Sequence, residues 1–360
     1  MKKGMFVCFW CIFLISCSPT PKVIEELQLI QALGYDYVSE SEFRTVAGSQ
    51  IILPGEEELP QTAVFSAVGN TSRITRKKMQ TESSKLLVLG RVNLILFQDD
   101  LAKEGVFYYL DILQRDPLVG RNVRPAVVEG KVFDLLSQNY KLDITVYQYL
   151  NDLIEQNEKE IIPQITLHTV LYEYYKDGVD VTLPMIKQND NRAQITGLAL
   201  FKDDHYIQKL NVREASYLKL LKESFEGGFY QIDIDEHDYV SLENVNAAPV
   251  YTVKQDESGL HVSIDIKITG IVNEQGDVNG PNHYNKNDIK HLGSTQFEKH
   301  MNQLIKKFQE WNVDPIGLGA VARSSVRDFN IDDWHKNYPT LDIKVNVDLS
   351  FVSSGITEEN

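Results

Sequence analysis

Apolar and polar positions alternate most plainly toward the C-terminal end. Val262, Ile264, Ile266 and Ile268 interleave with Ser263, Asp265, Lys267 and Thr269. Period two predicts a strand with one buried and one wet face. Leu341, Ile343, Val345, Val347, Leu349 and Phe351 repeat the pattern. Between these strands Phe297, Met301, Leu304, Ile305 and Phe308 fall at helical spacing, with Trp311 just beyond. Earlier in the chain, Val92 to Phe97 is almost wholly apolar and predicts a buried strand, and Val123 to Val128 predicts another. Leu29 to Val38 and Phe43 to Leu53 predict strands parted by the polar Ser39-Glu40-Ser41-Glu42, with a surface loop at Pro54 to Glu58.

Helices are expected over Thr71–Leu87, from a cap at Asp99 or Asp100 to about Arg115, from Gly130 to Leu136, and over Val146–Ile154 and Ile165–Tyr175. Asp116-Pro117 and Asp177-Gly178 supply stops. Ile195–Phe201 and His205–Leu210 predict a hairpin around Lys202-Asp203-Asp204. Asn211 followed by Glu214 is a capping-box pattern that starts a helix through Leu221. The polar run Gln188-Asn189-Asp190-Asn191 marks a break between regions 23–189 and 190–357, with three structural domains in total left open. The expected class is α+β and multidomain, with mixed or antiparallel sheets and helices packed on one face of each.

The first residues bear on where the protein goes. Lys2 and Lys3 precede an uncharged stretch from Gly4 to Ser16. A membrane span needs about 20 such residues, so this run fits the apolar part of a secretion signal instead. Its end, Leu14-Ile15-Ser16-Cys17, resembles the lipobox of bacterial lipoproteins. That resemblance implies a signal peptide over 1–16, cleavage before Cys17, fatty chains on its thiol and a tether over 17–22. Ser18 to Lys22 reaches at most about 17 Å, at about 3.3–3.6 Å per residue. Cys8 and Cys11 have C-x-x-C spacing but lie in the segment to be removed. No cysteine follows Cys17, so the body has no disulfide, thiolate nucleophile or cysteine metal site.

Composition changes this picture in one respect. With 42% apolar and 24% charged residues the chain is ordinary globular material. Lys and Arg total 36 against 51 Asp and Glu, for a net charge of −15, which argues against a nucleic-acid partner. Loss of Lys2 and Lys3 with the signal takes the charge to −17. An anionic leaflet repels such a body, so attachment rests on lipid. Arg73, Arg76, Lys77 and Lys78 are the densest basic cluster. They predict either a wet helix face or a face turned toward anionic lipid or an acidic partner loop.

Motifs for chemistry are sparse. Gly317-Leu318-Gly319 is part of a phosphate-loop pattern without its Lys-Ser/Thr ending. Ser216 and Lys219 match S-x-x-K inside an expected amphipathic helix. Asp233, Asp235, Glu236, His237 and Asp238 form an acidic run, and His283, Asp288 and His291 stand near one another in sequence; both predict solvated surface over a metal site. No catalytic residue, metal or cofactor is expected. Trp311, Trp334 and Tyr338 are candidate interface aromatics, with core packing as the alternative.

Several segments, taken in order, resemble the Ger(x)C family of spore germination lipoproteins over nearly the whole chain. They are Ile24-Glu25-Glu26-Leu27 through Ala32-Leu33-Gly34-Tyr35-Asp36, and Asp100-Leu101-Ala102-Lys103-Glu104-Gly105 through Leu113-Gln114-Arg115-Asp116-Pro117. Thr196 to Lys202 with Leu210-Asn211 follows, then Asp314-Pro315-Ile316-Gly317-Leu318-Gly319 after Trp311, then Trp334, Tyr338-Pro339 and Gly355-Ile356. Ser18-Pro19 departs from the Trp-Asp that often follows the family's lipidated cysteine, and Ala322-Arg323-Ser324 stands where a longer aromatic-basic stretch is common. The resemblance implies a three-domain, non-enzymatic lipoprotein on the outer face of the spore inner membrane. It would be the C subunit of a nutrient germinant receptor, working with polytopic A and B subunits. The rival readings are an extracytoplasmic solute-binding lipoprotein with a hinged cleft, and a lipid-anchored hydrolase.

Overall fold

Strand β1 (Leu27–Ser39) organises the first of two sheets among the described residues. The computed structural model describes residues 24–51, 61–234, 238–257, 259–276 and 285–352. Cys17 with the signal and tether, the loop at Pro54–Glu58, Asp235–His237, His283 and Gly355-Ile356 lie outside the described residues.

The other strands of this sheet are β2 (Glu42–Ile51), β3 (Gln61–Gly69), β4 (Leu86–Val88), β5 (Leu94–Gln98), β6 (Arg124–Glu129), β7 (Thr182–Asn189), β8 (Arg192–Lys202) and β9 (His205–Leu210). Their order is β3-β2-β1-β5-β6-β7-β8-β9, and β4 makes a short parallel pairing with the start of β1. Strands β1, β5, β6 and β7 run parallel, with antiparallel flanks on both sides. Parallel neighbours need crossovers, and helices supply them. These are α1 (Ser72–Gln80), α2 (Asp99–Glu104), α3 (Phe107–Gln114), α4 (Val132–Ser137), α5 (Val146–Glu160) and α6 (Leu167–Tyr175).

The α+β class holds, but helices cover both faces of this sheet and not one. Successive residues of β1 show it. A Cβ on Gly34 would come 2.3 Å from Val132 of α4, and the Asp36 carboxylate accepts the N–H groups of Val132 at 2.6 Å and Phe133 at 3.1 Å. Tyr35, on the opposite face, stacks on Phe97 and meets Tyr109 of α3. Both parities are therefore buried, which is why β5 reads as an unbroken apolar run.

Three expectations shift locally. The helix from Thr71 ends at Gln80, and Leu86–Val88 is strand β4. The helix expected from Asp99 to Arg115 is two, broken at Gly105, whose φ of 125° favours glycine. There the Asp204 carboxylate accepts the N–H groups of Val106 and Phe107 at 2.8 and 2.7 Å, so the capping carboxylate comes from a distant hairpin while Asp99 and Asp100 sit inside the first turn. The polar run at 188–191 is the β7–β8 turn, with Asp190 at φ 48°, and the first sheet continues through it to Leu210.

The second sheet holds β10 (Phe225–Glu226), β11 (Phe229–Asp233), β12 (Tyr239–Asp256), β13 (Gly259–Gly276) and β14 (Asp342–Phe351). Long β12 and β13 pair antiparallel, and β14 lies parallel beside β13. Val262, Ile264, Ile266 and Ile268 are buried while Asp265 and Lys267 are exposed, as period two requires. Helix α8 (Lys286–Trp311) packs against β14, burying Phe297, Met301, Leu304, Ile305 and Phe308. Gly293 permits that approach, since a Cβ there would come 2.6 Å from Leu349.

Helix α7 (Val212–Lys222) starts at the expected capping box, with both Asn211–Glu214 bonds formed, and touches β8 of one sheet, β12 of the other and α8. Helices α9 (Leu318–Ser325) and α10 (Ile331–Asn337) follow α8, and a 3-10 turn (Tyr338–Thr340) leads into β14.

Candidate functional site

Helix α1 sits over the β2–β3 flank of the first sheet. The Thr71 hydroxyl accepts the Ile74 N–H and caps it. Thr75 and Met79 form its inner stripe, with the Thr75 hydroxyl 2.7 Å from that of Thr45. Four-residue spacing inside leaves Arg73, Arg76, Lys77 and Lys78 on the exposed side. None of the four forms an ion pair with another described residue. Lys78 donates to the Val68 carbonyl at 2.7 Å, which seats its ammonium on β3.

This basic helix stands beside the point where the chain enters the body. Leu27, at the start of β1, pairs with Leu86 of β4, and the Arg76 guanidinium reaches 3.5 Å from the Leu87 carbonyl. A groove of about 740 Å³ opens there, lined among others by Glu25, Leu27, Phe65, Lys85 and Arg91. The first described residues, Ile24 to Leu27, therefore stand next to a group of cations.

The remaining candidates resolve into structure. Trp334 and Tyr338 are buried among Phe329 and one another, so they shape the core and offer no docking surface; Trp311 is half-buried against the same core. The Lys219 side chain points inward and is saturated. Its ammonium donates to the carbonyls of Glu158 at 2.7 Å and Ile162 at 3.1 Å and to the Glu223 carboxylate, and lies over the Phe225 ring. Ser216 donates to the Arg213 carbonyl, so the S-x-x-K pair has no nucleophile–base contact.

Gly317, Leu318 and Gly319 do aim N–H groups at an anion, but the anion belongs to the chain. The buried Asp314 carboxylate accepts all three, at 2.9, 3.0 and 2.7 Å. Burial pushes Asp314 up to about 7, against the opposing pull of those three N–H groups. Asp180 is also raised by burial, with Lys202 acting against it, and accepts the Asp314 N–H at 2.6 Å. Backbone closes the same joint: Ala320 donates to the Gly178 carbonyl, and a Cβ on Gly178 would come 2.5 Å from Gly319.

Asp233 pairs with Arg213, Asp288 lies in the first turn of α8, and His291 meets Thr295 one turn on. Among the described residues no cluster of His, Cys, Asp or Glu is arranged to hold a metal ion. Sequence reasoning missed Asp36 and Asp180 as groups that tie elements together, and read Lys219 only as half of an S-x-x-K match. Lys219 had one available signal, its position inside the apolar run Tyr217-Leu218-Lys219-Leu220-Leu221.

Comparison with known proteins agrees with this architecture. The family model described as spore germination protein N-terminal domain matches residues 21–188, and that described as spore germination B3/GerAC like, C-terminal, matches 196–355. The chain is 30% identical to spore germination protein GerQC of Bacillus cereus, over 99% of this chain and all of that one. It is 25% identical to spore germination protein KC of Bacillus subtilis strain 168, over 92% and 91% of the two chains. The crystal structure of the GerBC protein superposes with a TM-score of 0.59 at 14% identity, covering 89% of this chain and 97% of that one, a likeness of fold. Matched in order across both halves of its length, the chain belongs to the Ger(x)C family of spore germination proteins.

Proposed function

We propose that this chain is the lipid-anchored C subunit of a spore nutrient germinant receptor, and that it acts by contact and not by turnover. The observation that carries the reading is the pair of family models running end to end behind the Leu14-Ile15-Ser16-Cys17 lipobox. Fatty chains on Cys17 hold the body at the outer face of the spore inner membrane; one chain binds only marginally and two or more hold firmly. Confinement to that plane raises the local concentration beside polytopic A and B subunits. A tether of at most about 17 Å sets α1 and its four cations close to the bilayer, where anionic lipid or an acidic partner loop meets them.

A solute-binding protein needs two lobes free to close on a ligand. Here the buried Lys219 and Asp314, with the partly buried Asp180, fill the joint between the sheets with bonded groups. Deletion of the gene is expected to abolish germination in response to the receptor's nutrient, and Cys17→Ala to reduce it at least tenfold with the protein released from the membrane. Wild-type germination in the deletion strain, or a Cys17→Ala product that stays membrane-bound, defeats the proposal.

A further inference from the structure

Grooves on this molecule differ in how their charges balance. The groove beside Leu27 sets Glu25 and Glu82 against Lys85 and Arg91. Another, of about 650 Å³ where α5 ends beside α7, sets Glu160 against Arg213, and Arg213 pairs with Asp233. A third, of about 510 Å³, is lined by Arg121, Lys176 and Arg323 against a single carboxylate, Asp177. That carboxylate is already taken, since it accepts the Arg323 guanidinium at 2.6 Å. Arg121 and Lys176 form no ion pair with another described residue. The Lys176 ammonium lies instead 5.0 Å from the centre of the Tyr172 ring, a contact that is weak at an exposed site. On a chain with 51 acidic and 36 basic residues, a groove with spare cations stands out.

Its floor is apolar and recessed. Leu167 and Leu171 of α6 are 2% and 8% exposed, so only a group that enters the groove can cover them. Tyr172 and Tyr175 stand exposed around it. The surrounding elements are tied in place. The Leu167 N–H donates to the Val123 carbonyl at 2.7 Å and the His168 N–H to the Arg121 carbonyl at 3.2 Å, which fixes the Arg121 backbone against the first turn of α6. The Asp177–Arg323 pair joins the end of α6 to α9.

We propose that this groove binds a small molecule carrying a carboxylate on an apolar body of ring size, with the carboxylate at Arg121 and Lys176 and the body against Leu167, Leu171 and Tyr175. The proposal goes beyond the receptor reading and does not depend on it. A guanidinium matches a carboxylate with two parallel N–H bonds, and an ammonium adds charge without that geometry. Small-molecule sites are mostly apolar hollows of about 300–1,000 Å³ with a few polar groups that set orientation, and this groove has both parts. A bare inorganic anion would answer the cations and leave the leucine floor wet. A flat bilayer surface would meet the exposed side chains and not the recess behind them.

The test is titration calorimetry on the full chain in detergent, with indole-3-propionate in matched detergent buffer. Saturable one-site binding is expected, with a dissociation constant below about 1 mM for a ligand of this size. The neutral indole-3-propionamide, equal in shape, should bind at least tenfold more weakly, and acetate should show no saturable heat. The R121A/K176A chain should lose at least tenfold in affinity for indole-3-propionate. Both side chains are exposed, so its urea midpoint should stay at the wild-type value and show that the variant is folded. Absence of saturable binding overturns the proposal, as does equal affinity for the amide or unchanged affinity in the variant. Acetate binding as tightly as indole-3-propionate also overturns it, because the apolar floor would then contribute nothing.

Discussion

The two sheets of this protein bury themselves in different ways. In the first, parallel β5 lies between β1 and β6 under helices on both faces, and Leu94, Ile95, Leu96 and Phe97 are all 0% exposed. In the second, β13 buries Ile264 and Ile266 and leaves Asp265 and Lys267 in water. Parity along the strand therefore means nothing in β5 and everything in β13. The lesson concerns tolerance to change: β5, at the centre of the first sheet, has no neutral side, while β13 has one.

The most damaging way to probe that contrast is to place a charge at consecutive positions. Ile95→Asp and Leu96→Asp should both destroy the fold, each costing more than about 4 kcal/mol, since each leaves an unpaired charge in a dry core. On β13, Ile264→Asp should do the same, while Asp265→Lys should change stability by less than about 0.5 kcal/mol. Urea titration of the four variants checks this; tolerance of either β5 variant breaks the comparison.

The joint between the sheets comes next. Lys219→Met removes a buried ammonium from two carbonyls and a carboxylate. Breaking a buried pair on one side costs about 3–5 kcal/mol, so a fall of that order in the unfolding free energy is expected. A neutral Lys219→Met would mean that packing against Phe225 carries the joint without the charge.

Asp314 gives a smaller effect with a definite pH signature. Its folded value of about 7 lies above the ordinary aspartate value of 3.8, so the folded chain keeps a proton that the unfolded chain has released. This group's stabilising contribution is complete below pH 3.8, declines as pH rises, and is lost once pH passes about 7. Asp314→Asn should flatten that part of the stability–pH curve and cost about 1–3 kcal/mol, because the amide cannot accept the Gly319 N–H as the carboxylate does. Denaturation midpoints across that range, compared between the two proteins, decide it. At the far end of the scale, R76E/K77E/K78E should leave stability within about 0.5 kcal/mol of wild type, since all three side chains are exposed.

The strands that announced themselves in the amino-acid order were those whose environment is simple. Period two marked β13 and β14, continuous apolarity marked β5 and β6, and the Asn211–Glu214 box marked the start of α7. Strands β3, β7 and β12 went unread. Strand β3 is small-residue edge material, and both β7 and β12 carry a proline that local rules count against a strand. The break at Gly105 was missed because the carboxylate that holds it open, Asp204, lies on a hairpin far along the chain. Of the two readings open for the aromatic candidates, Trp334 and Tyr338 follow core packing, a choice that local order leaves open because nothing local tells a Trp on a surface from one folded over a 3-10 turn.

Local order was enough to settle the exposed basic face, the capping of α7, the alternation of the last strands and the cysteine-free body. These depend on neighbours within a few residues, or on counting. The burial of Asp36, Lys219 and Asp314 and the pairing that carries the first sheet past residue 190 were settled by folding alone. Each depends on which distant segment arrives beside the residue, and a buried charge is stable only once that segment brings its partner.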